Sequence, residues 1–431
     1  MWVGTAKTVI TPPAGTGLAG FAAREGGARG VHDDLYARAL VLEVGGTRLA
    51  LIFYDLCELD APFVARVRRR VEGAAGISHG SIMVAATHTH GAPATTPLLS
   101  APPPAEWLDG VEHRAAVAAA EACRTLSHGD AALGRREERS IGRNRRRPDG
   151  PVDPTVTVLR FNRTDVPPVS LVHYACHPTV LGPDNLLVSR DYPGFAVDAV
   201  ERVTGGWCAF ANGACGDVNA GHSAGRTAIG LPTPGRTFER AEALGLRLAV
   251  EAIRASDDAR PIDGRLGCRH RAVTVPLRTV TEPHARAQVA AQRRNAEWLA
   301  AEPGRADALA EARLELFYAK MALEWARRHP DPSEVAEIQA AAIGDVALVA
   351  LPGEFFVESG QRLRDRSPFP ITVVIGYANG CLGYVPPASA FEEGGYETRL
   401  SPWSRVAPQA EAVILNAAVE LLEELRDATA R

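Results

Sequence analysis

Two β-rich apolar runs, RALVLEV and TRLALIFYD, flank Gly45-Gly46 within residues 38–55, and this hairpin signal constrains the fold more than any other stretch. An amphipathic run over about 60–73 follows, and then a short apolar strand, SIMVAA, at 81–86. Strand, helix, strand opens an α/β fold. Helices are expected at about 104–126, 236–255 and 407–428, and strands at TVTVLRF, VSLVHYA, WCAFAN, DVALVALPG and ITVVIGYANG. The Ala/Arg/Glu-rich stretch 282–329, broken near Pro303-Gly304, reads as two helices inserted into the domain. These helices would form a lid, a pocket wall or a contact with a second copy in a homo-oligomer, and their amphipathic pattern does not choose among the three. With no internal repeat and no Pro/Ser-rich linker, the chain is expected to be α/β, a single large domain whose mixed β-sheet core is flanked by helices, plus a helical insertion at about 282–329.

Composition narrows the function. Across 431 residues, 46% hydrophobic and 23% charged is the balance of a globular protein with a sizeable core. A net charge of −4, with no long basic run interleaved with aromatics, argues against nucleic acid as a partner. The N-terminus MWVGTAKTVITPP lacks a basic segment followed by a continuous apolar one, and no window approaches the ~18 to 20 unbroken apolar residues of a membrane span. The expectation is a cytoplasmic protein without stable membrane anchoring. Its seven cysteines form no CxxC pair and read as reduced, small core residues.

The chemistry sits where apolar runs end. SIMVAATHTHGAP runs from a strand into His88 and His90, which alternate onto one face if the segment stays extended. Such a pair either begins a metal site or is a pair of satisfied polar residues in a turn. SLVHYACHPTV ends on His177, ALVALPGEFF reaches Glu354, GYANGCLGY reaches Tyr384 after a turn, and FANGACGDVNAG ends in a glycine-rich turn with Asp217. Ligands in open α/β sheets collect outside the carboxyl ends of strands, so these distant residues are able to converge there. Two histidines, a carboxylate and an oxygen donor suit Zn²⁺, and zinc with an exchangeable position points to hydrolysis. His173, inside the strand pattern, has the position of a core histidine rather than a ligand. Asp191 and Asp217 read equally as turn or cap carboxylates and as supports for a ligand.

Taken in order, the blocks GLAGFAAREGGARGVHDDLYARALVLE, ATHTHGAP, NRRRP, HPTVLGPDNLLVSRDYPG, NGACGDVN, LPGEFF and GYANGCLGYVPP resemble the catalytic domain of the neutral/alkaline ceramidases, zinc-dependent amidases that cleave N-acyl sphingosines. The resemblance runs over most of the chain. It implies His88, His177, Glu354 and Tyr384 as zinc ligands, His90 beside the metal as a catalytic or substrate-contacting group, and Arg145 and Tyr396 in the active site. Two departures stand out. Gly213 occupies the position of the family's active-site serine, which closes a serine-dependent route there and leaves a metal-activated water as nucleophile. The chain is also expected to lack the family's C-terminal immunoglobulin-like domain and a secretion signal, and both differences would weigh against membrane-derived ceramide as substrate.

The resulting expectation is a zinc-dependent hydrolase that cleaves an amide of a small-molecule substrate. His90 would be a base titrating near neutrality and then proton donor, Arg145 and Tyr396 would stabilise the oxyanion or anchor a substrate carboxylate, the turn 213–216 would let substrate approach the backbone, and Asp217 would orient a ligand. Other readings are an amidohydrolase-type barrel, disfavoured because strands already precede residue 81, an amide- or lactam-forming cyclase on the same site, and a catalytically inactive metal- or small-molecule-binding protein.

Overall fold

In the computed structural model, which describes residues 1–302, 304–328 and 331–430, the expected mixed sheet resolves into two. The larger contains β1 (Trp2–Val9), β2 (Tyr36–Val44), β3 (Thr47–Tyr54), β4 (Ile82–Ala86), β5 (Ser127–Glu137), β6 (Thr155–Arg163), β7 (Val166–Tyr174) and β8 (Trp207–Asn212). Its order is β8-β7-β6-β5-β1-β2-β3-β4, with the short strand Arg260–Pro261 added on β5. The smaller runs β9 (Leu266–Pro276), β10 (Ser333–Ile343), β11 (Val346–Ala350), β12 (Ile371–Ile375). Within these two sheets only β3–β4, β7–β8 and β11–β12 are parallel, so the barrel reading does not hold.

The strands have two buried faces with different partners. In β2 and β3, Ala37, Ala39, Val41, Ala50, Ile52 and Tyr54 pack toward helices, while Leu40, Leu42, Leu49, Leu51 and Phe53 face the second sheet. The expected hairpin is a two-residue turn, Gly45 and Gly46 both at positive φ, which only glycine adopts without strain. Helices α1 (Ala61–Ala75), α2 (Ala105–Arg124), α3 (Asp191–Thr204) and α4 (Phe238–Asp257) cover the outer face of the large sheet. The glycines at the helix contacts are steric necessities: a Cβ at Gly4 or Gly134 would lie 1.8 or 1.7 Å from the carbonyl oxygens of Ala122 in α2 and Ala255 in α4. On the far side of the small sheet lie α7 (Val357–Arg366) and α8 (Ala410–Ala430). The result is four layers, helix, sheet, sheet, helix. Between β9 and β10, α5 (Glu282–Ala301) and α6 (Ala306–Arg327) form the expected helical pair; of the expected break, Pro303 lies outside the described residues. No described helix is long and apolar enough to cross a membrane.

Strands β1, β5, β9 and β10 were not among the sequence expectations. The segment LGCRHRAVTVP alternates charged and apolar residues, and AEIQAAAI is alanine-rich enough to read as helix; each becomes a strand because the other supplies its ladder over eleven pairs.

The large sheet curls, and one buried charge group ties its halves. Arg38 of β2 donates to Glu201 of α3 at 2.6 Å and to the Cys208 carbonyl of β8 at 2.8 Å, and Lys7 reaches the same Glu201 at 2.7 Å. Burial opposes charge on Glu201, yet Arg38 holds its carboxyl below the usual range. A depressed carboxyl contributes stability that is present above its unfolded value and lost as pH falls through the folded one. Glu201→Gln is therefore expected to cost about 2 kcal/mol near pH 7 in urea unfolding, with the gap to wild type closing below about pH 4.

Candidate metal and active site

Six chain segments, leaving the parallel strands β3, β4, β7, β8, β11 and β12, meet at one point. The bridge between them is Gly376–Asn379, just beyond β12. On one side Tyr377 O accepts from Ala86 N at 3.0 Å and Asn379 N donates to Val84 O at 2.8 Å; on the other, Gly376 N donates to Asn212 O at 3.0 Å. The segment thus joins β4 to β8, the two far edges of the curled sheet, and Asn212 Nδ2 adds a bond to Thr87 O at 3.2 Å.

His88 follows β4, but not in extended conformation. Its φ is +67°, a left-handed value, and Tyr377 and Asn379 opposite are also left-handed at +55° and +61°. The strand ends at Ala86, so simple alternation does not bring His88 and His90 together; the turn does, with the rings 4.8 Å apart. The His88 ring stacks on Tyr377 at 3.9 Å. Its Nδ1 bonds the Cys57 carbonyl at 2.6 Å, and His177 Nδ1 bonds the Cys215 carbonyl at 2.7 Å. A carbonyl only accepts, so each Nδ1 carries a hydrogen, and in the singly protonated ring Nε2 is left with the lone pair that a metal ligand needs. Both Nε2 atoms face one carboxylate oxygen, Glu354 Oε2, at 3.4 Å from His88 and 2.9 Å from His177.

Donor atoms of His88, His177 and Glu354 all lie within 4.8 Å of one another, and all three residues are buried. Three electron-pair donors converging in a low-dielectric pocket repel unless a cation lies among them, and backbone carbonyls that fix the tautomers of ligating histidines are the usual support of such sites. The residues therefore fit a divalent metal ion. Burial pushes His177 down to about 4, whereas at His88 the neighbouring Cys57 and Glu354 outweigh burial and raise the imidazole to about 10, and both rings outweigh burial in holding Glu354 below the usual carboxylate range; without an ion His88 therefore pairs with Glu354 as an imidazolium, and a bound cation would take the place of that proton. Tyr384 lies opposite Glu354 in a short parallel bridge. Its hydroxyl accepts from Arg145 Nη2 at 2.9 Å, and burial keeps the phenol protonated.

His90 Nε2 is 3.2 Å from His88 Nε2, while its Nδ1 is buried without a protein partner. The expectation that His90 titrates near neutrality is not met: burial first, and then the neighbouring His88, push it well below its ordinary value and leave it neutral. It is seated against Gly20, where a Cβ would come within 2.2 Å of Nδ1, and against the Phe21 ring at 4.8 Å. Arg145 is clamped by Glu397 at 2.7 Å, by the Gly216 carbonyl at 2.7 Å and by Tyr384, and Tyr396 meets Tyr384 edge-on at 5.8 Å.

Asp217 bonds neither histidine. Its carboxylate accepts from Asn144 Nδ2 and from Val357 N, both at 2.8 Å, which pins the loop carrying Arg145 and the chain just beyond Glu354. The turn 213–216 is tight for the protein's own backbone, since a Cβ at Gly216 would lie 2.5 Å from the Glu354 carbonyl oxygen. At Gly213 a Cβ would lie 2.8 Å from Ala175 Cβ and 2.9 Å from His173 Nε2, so the local packing has no room for a side chain. His173 bonds the Val374 carbonyl at 2.8 Å, joining the two sheets. Asp191 caps a turn, accepting from Leu181 N at 2.9 Å and Tyr192 N at 2.6 Å. Sequence reading missed Glu397, Tyr377 and the Cys57 carbonyl; only Tyr377, next to the strand end, carried a signal. The inserted helices contribute pocket wall, with Leu314 and Tyr318 lining a chamber of about 550 Å³ outside Tyr396.

No protein-family model matches the chain. Among curated proteins, the neutral ceramidase of Mycobacterium tuberculosis is 27% identical, with 95% of this chain and 75% of that protein aligned, and the neutral ceramidase of Pseudomonas aeruginosa is 25% identical, over 98% of this chain and 72% of that protein. Over nearly its whole length the chain is therefore similar to neutral ceramidases. Two solved structures share its fold: a ceramidase complexed with C2, at TM-score 0.78 and 21% identity over 99% of this chain and 75% of that one, and the Pseudomonas aeruginosa neutral ceramidase, at 0.77 and 22% over 99% and 74%.

Glu397 is buried against Arg145 and Arg146, whereas Glu393 is 42% exposed where it meets Arg146 and Arg147. Glu397→Ala strands a buried guanidinium and is expected to cost about 3 to 5 kcal/mol in urea unfolding, against under about 1 kcal/mol for Glu393→Ala.

Proposed function

We propose that this protein is a zinc-dependent hydrolase of small-molecule amides. The observation that carries the reading is the convergence of the His88 and His177 Nε2 atoms on Glu354, each ring fixed by a backbone carbonyl. Two imidazoles and a carboxylate are a donor set suited to zinc, and Tyr384 is the fourth candidate ligand. The name ceramidase, borne by both aligned relatives, supports an amide as the bond cleaved.

The net reaction places the oxygen of water on the carbonyl carbon, breaks the C–N bond and gives a proton to the leaving nitrogen. When bound, zinc supplies Lewis acidity, polarising the carbonyl and making water a competent nucleophile near neutral pH. His90 Nε2 takes the proton from the attacking water and returns it to the amine. Because burial disfavours its charged form, His90 waits neutral and, once protonated, is a strong acid toward the leaving group. Arg145 positions the Tyr384 hydroxyl, and Tyr396, also kept protonated by burial, donates toward the developing oxyanion. Asp217 acts at one remove by holding the Arg145 loop against the segment that carries Glu354.

Chelator dialysis is expected to abolish amide hydrolysis and zinc to restore it, with metal content followed by atomic absorption. His88→Ala and His177→Ala should each lose bound zinc. His90→Ala should retain it while kcat falls by about 100-fold or more. Full zinc occupancy in His177→Ala would overturn the ligand assignment.

A further inference from the structure

Next to the metal-facing cluster is an inner pocket of about 30 Å³, bounded by Phe21, His90, Thr179, His222, Tyr384 and Tyr396. It shares Arg145 and Tyr396 with the outer chamber. A volume of that order holds roughly two water-sized groups, enough for a carboxylate or a short acyl group but not for an alkyl chain. The outer chamber is no apolar groove either. Arginines 145, 146 and 147, the carboxylates of Glu393 and Glu397, and the backbone of Gly394 and Gly395 make up much of its wall.

Behind the inner pocket two guanidiniums lie against one ring, the buried Arg24 at 4.8 Å and the half-buried Arg236 at 5.0 Å from the centre of Phe21. Arg236 donates to the carbonyls of Thr179 and Leu181, both at 2.9 Å, and to Thr227 Oγ1 at 3.2 Å. Arg24 donates to the carbonyls of Ala19 at 2.9 Å and Gly182 at 3.3 Å. Among the described residues neither is hydrogen-bonded to a carboxylate; Asp184 and Asp191 act on them only at longer range. Asp191 is already engaged by backbone amides. The pocket wall also holds polar atoms with no protein partner: Thr179 Oγ1 and His90 Nδ1 are both buried and unpaired, as is Arg24 Nε behind them. Buried cations with only neutral carbonyl partners are costly, and an anionic ligand beside them offsets that cost.

From this arrangement we infer that the substrate is a compact amide bearing a carboxylate, with the carboxylate alone seated in the inner pocket against Thr179, Arg236 and Arg24 behind it and the rest of the molecule toward the outer chamber, and not a neutral long-chain N-acyl amine. The inference deepens the amide-hydrolase reading and rests on it. Burial in front of two guanidiniums selects the charge, and the volume selects the size. The carboxylate is held apart from the group being cleaved, so it serves recognition and leaves the carbonyl free to face His90 and Tyr396.

The test uses the full-length zinc-loaded protein and two matched probes, N-acetylglycine and N-acetylglycinamide, with N-palmitoylethanolamine as the long neutral amide. Affinity is read by calorimetry and turnover by amine release. The acid is expected to bind about 10-fold more tightly than its carboxamide. Arg236→Gln, with its fold checked by circular dichroism, should shrink that ratio to about 3-fold or less, and Thr179→Val, which keeps shape and removes the hydroxyl, should weaken the acid several-fold. Zinc contributes equally in wild type and variants, so the change in ratio isolates the arginine. Equal affinity for acid and carboxamide, or preference for the palmitoyl amide, overturns the proposal, while turnover of any probe leaves the hydrolase reading standing. Acid preference without turnover of any probe supports the anionic pocket and counts against hydrolysis alone.

Discussion

Everything at the site depends on four residues, Gly376 to Asn379, hydrogen-bonded on one side to β4 and on the other to β8. Those strands are the opposite edges of an eight-strand path, and a flat sheet would hold them far apart. The curled sheet and the bridging segment from its smaller partner bring their carboxyl ends to one place. Left-handed backbone at His88, Tyr377 and Asn379 is the local cost of that join, about 1 kcal/mol or more per residue. Strain of this kind persists only where surrounding structure over-determines it, and here the ring stack of His88 on Tyr377 and the Asn379 side-chain bond to Val84 N, at 3.0 Å, do so.

Electrostatics divides the centre into two zones. On the ligating side, two imidazoles and a carboxylate are gathered, with the Nδ1 hydrogens turned outward to backbone carbonyls. On the far side lie Arg145, Arg146, Arg24 and the half-buried Arg236, and of these Arg145 and Arg146 are paired with Glu397. A cation belongs to the first zone and an anion to the second, with the phenols of Tyr384 and Tyr396 between them. Such a division suits a reaction in which negative charge develops on a carbonyl oxygen held between the two.

How much of this was legible in the sequence follows from what periodicity encodes. The Gly45-Gly46 hairpin, the WCAFAN strand and the helical pair after residue 282 were readable because turn chemistry and apolar period are local. Whether an apolar face meets a helix or a second sheet is not local, so Leu40 and Ala39, on opposite faces of β2, gave no hint of two sheets. Strands β9 and β10 escaped for a related reason, since each is held mainly by the other. At the site, the convergence of residues 88, 177 and 354 was legible as a set of strand ends, whereas the support from the Cys57 and Cys215 carbonyls was not, because any residue type supplies a carbonyl. The near-neutral His90 failed because burial depth is a tertiary property.

Glu354 lies 177 residues beyond its nearest imidazole partner and follows a strand of the smaller sheet, while both histidines follow strands of the larger one. A growing polypeptide therefore emerges with its nitrogen donors first and its oxygen donor much later. Any ion that meets the nascent larger sheet finds at most half a coordination sphere, and firm capture waits until the last third of the chain has been made and has laid its bridging strand across the gap. A metal held by these three residues would thereby be acquired only as the fold is completed.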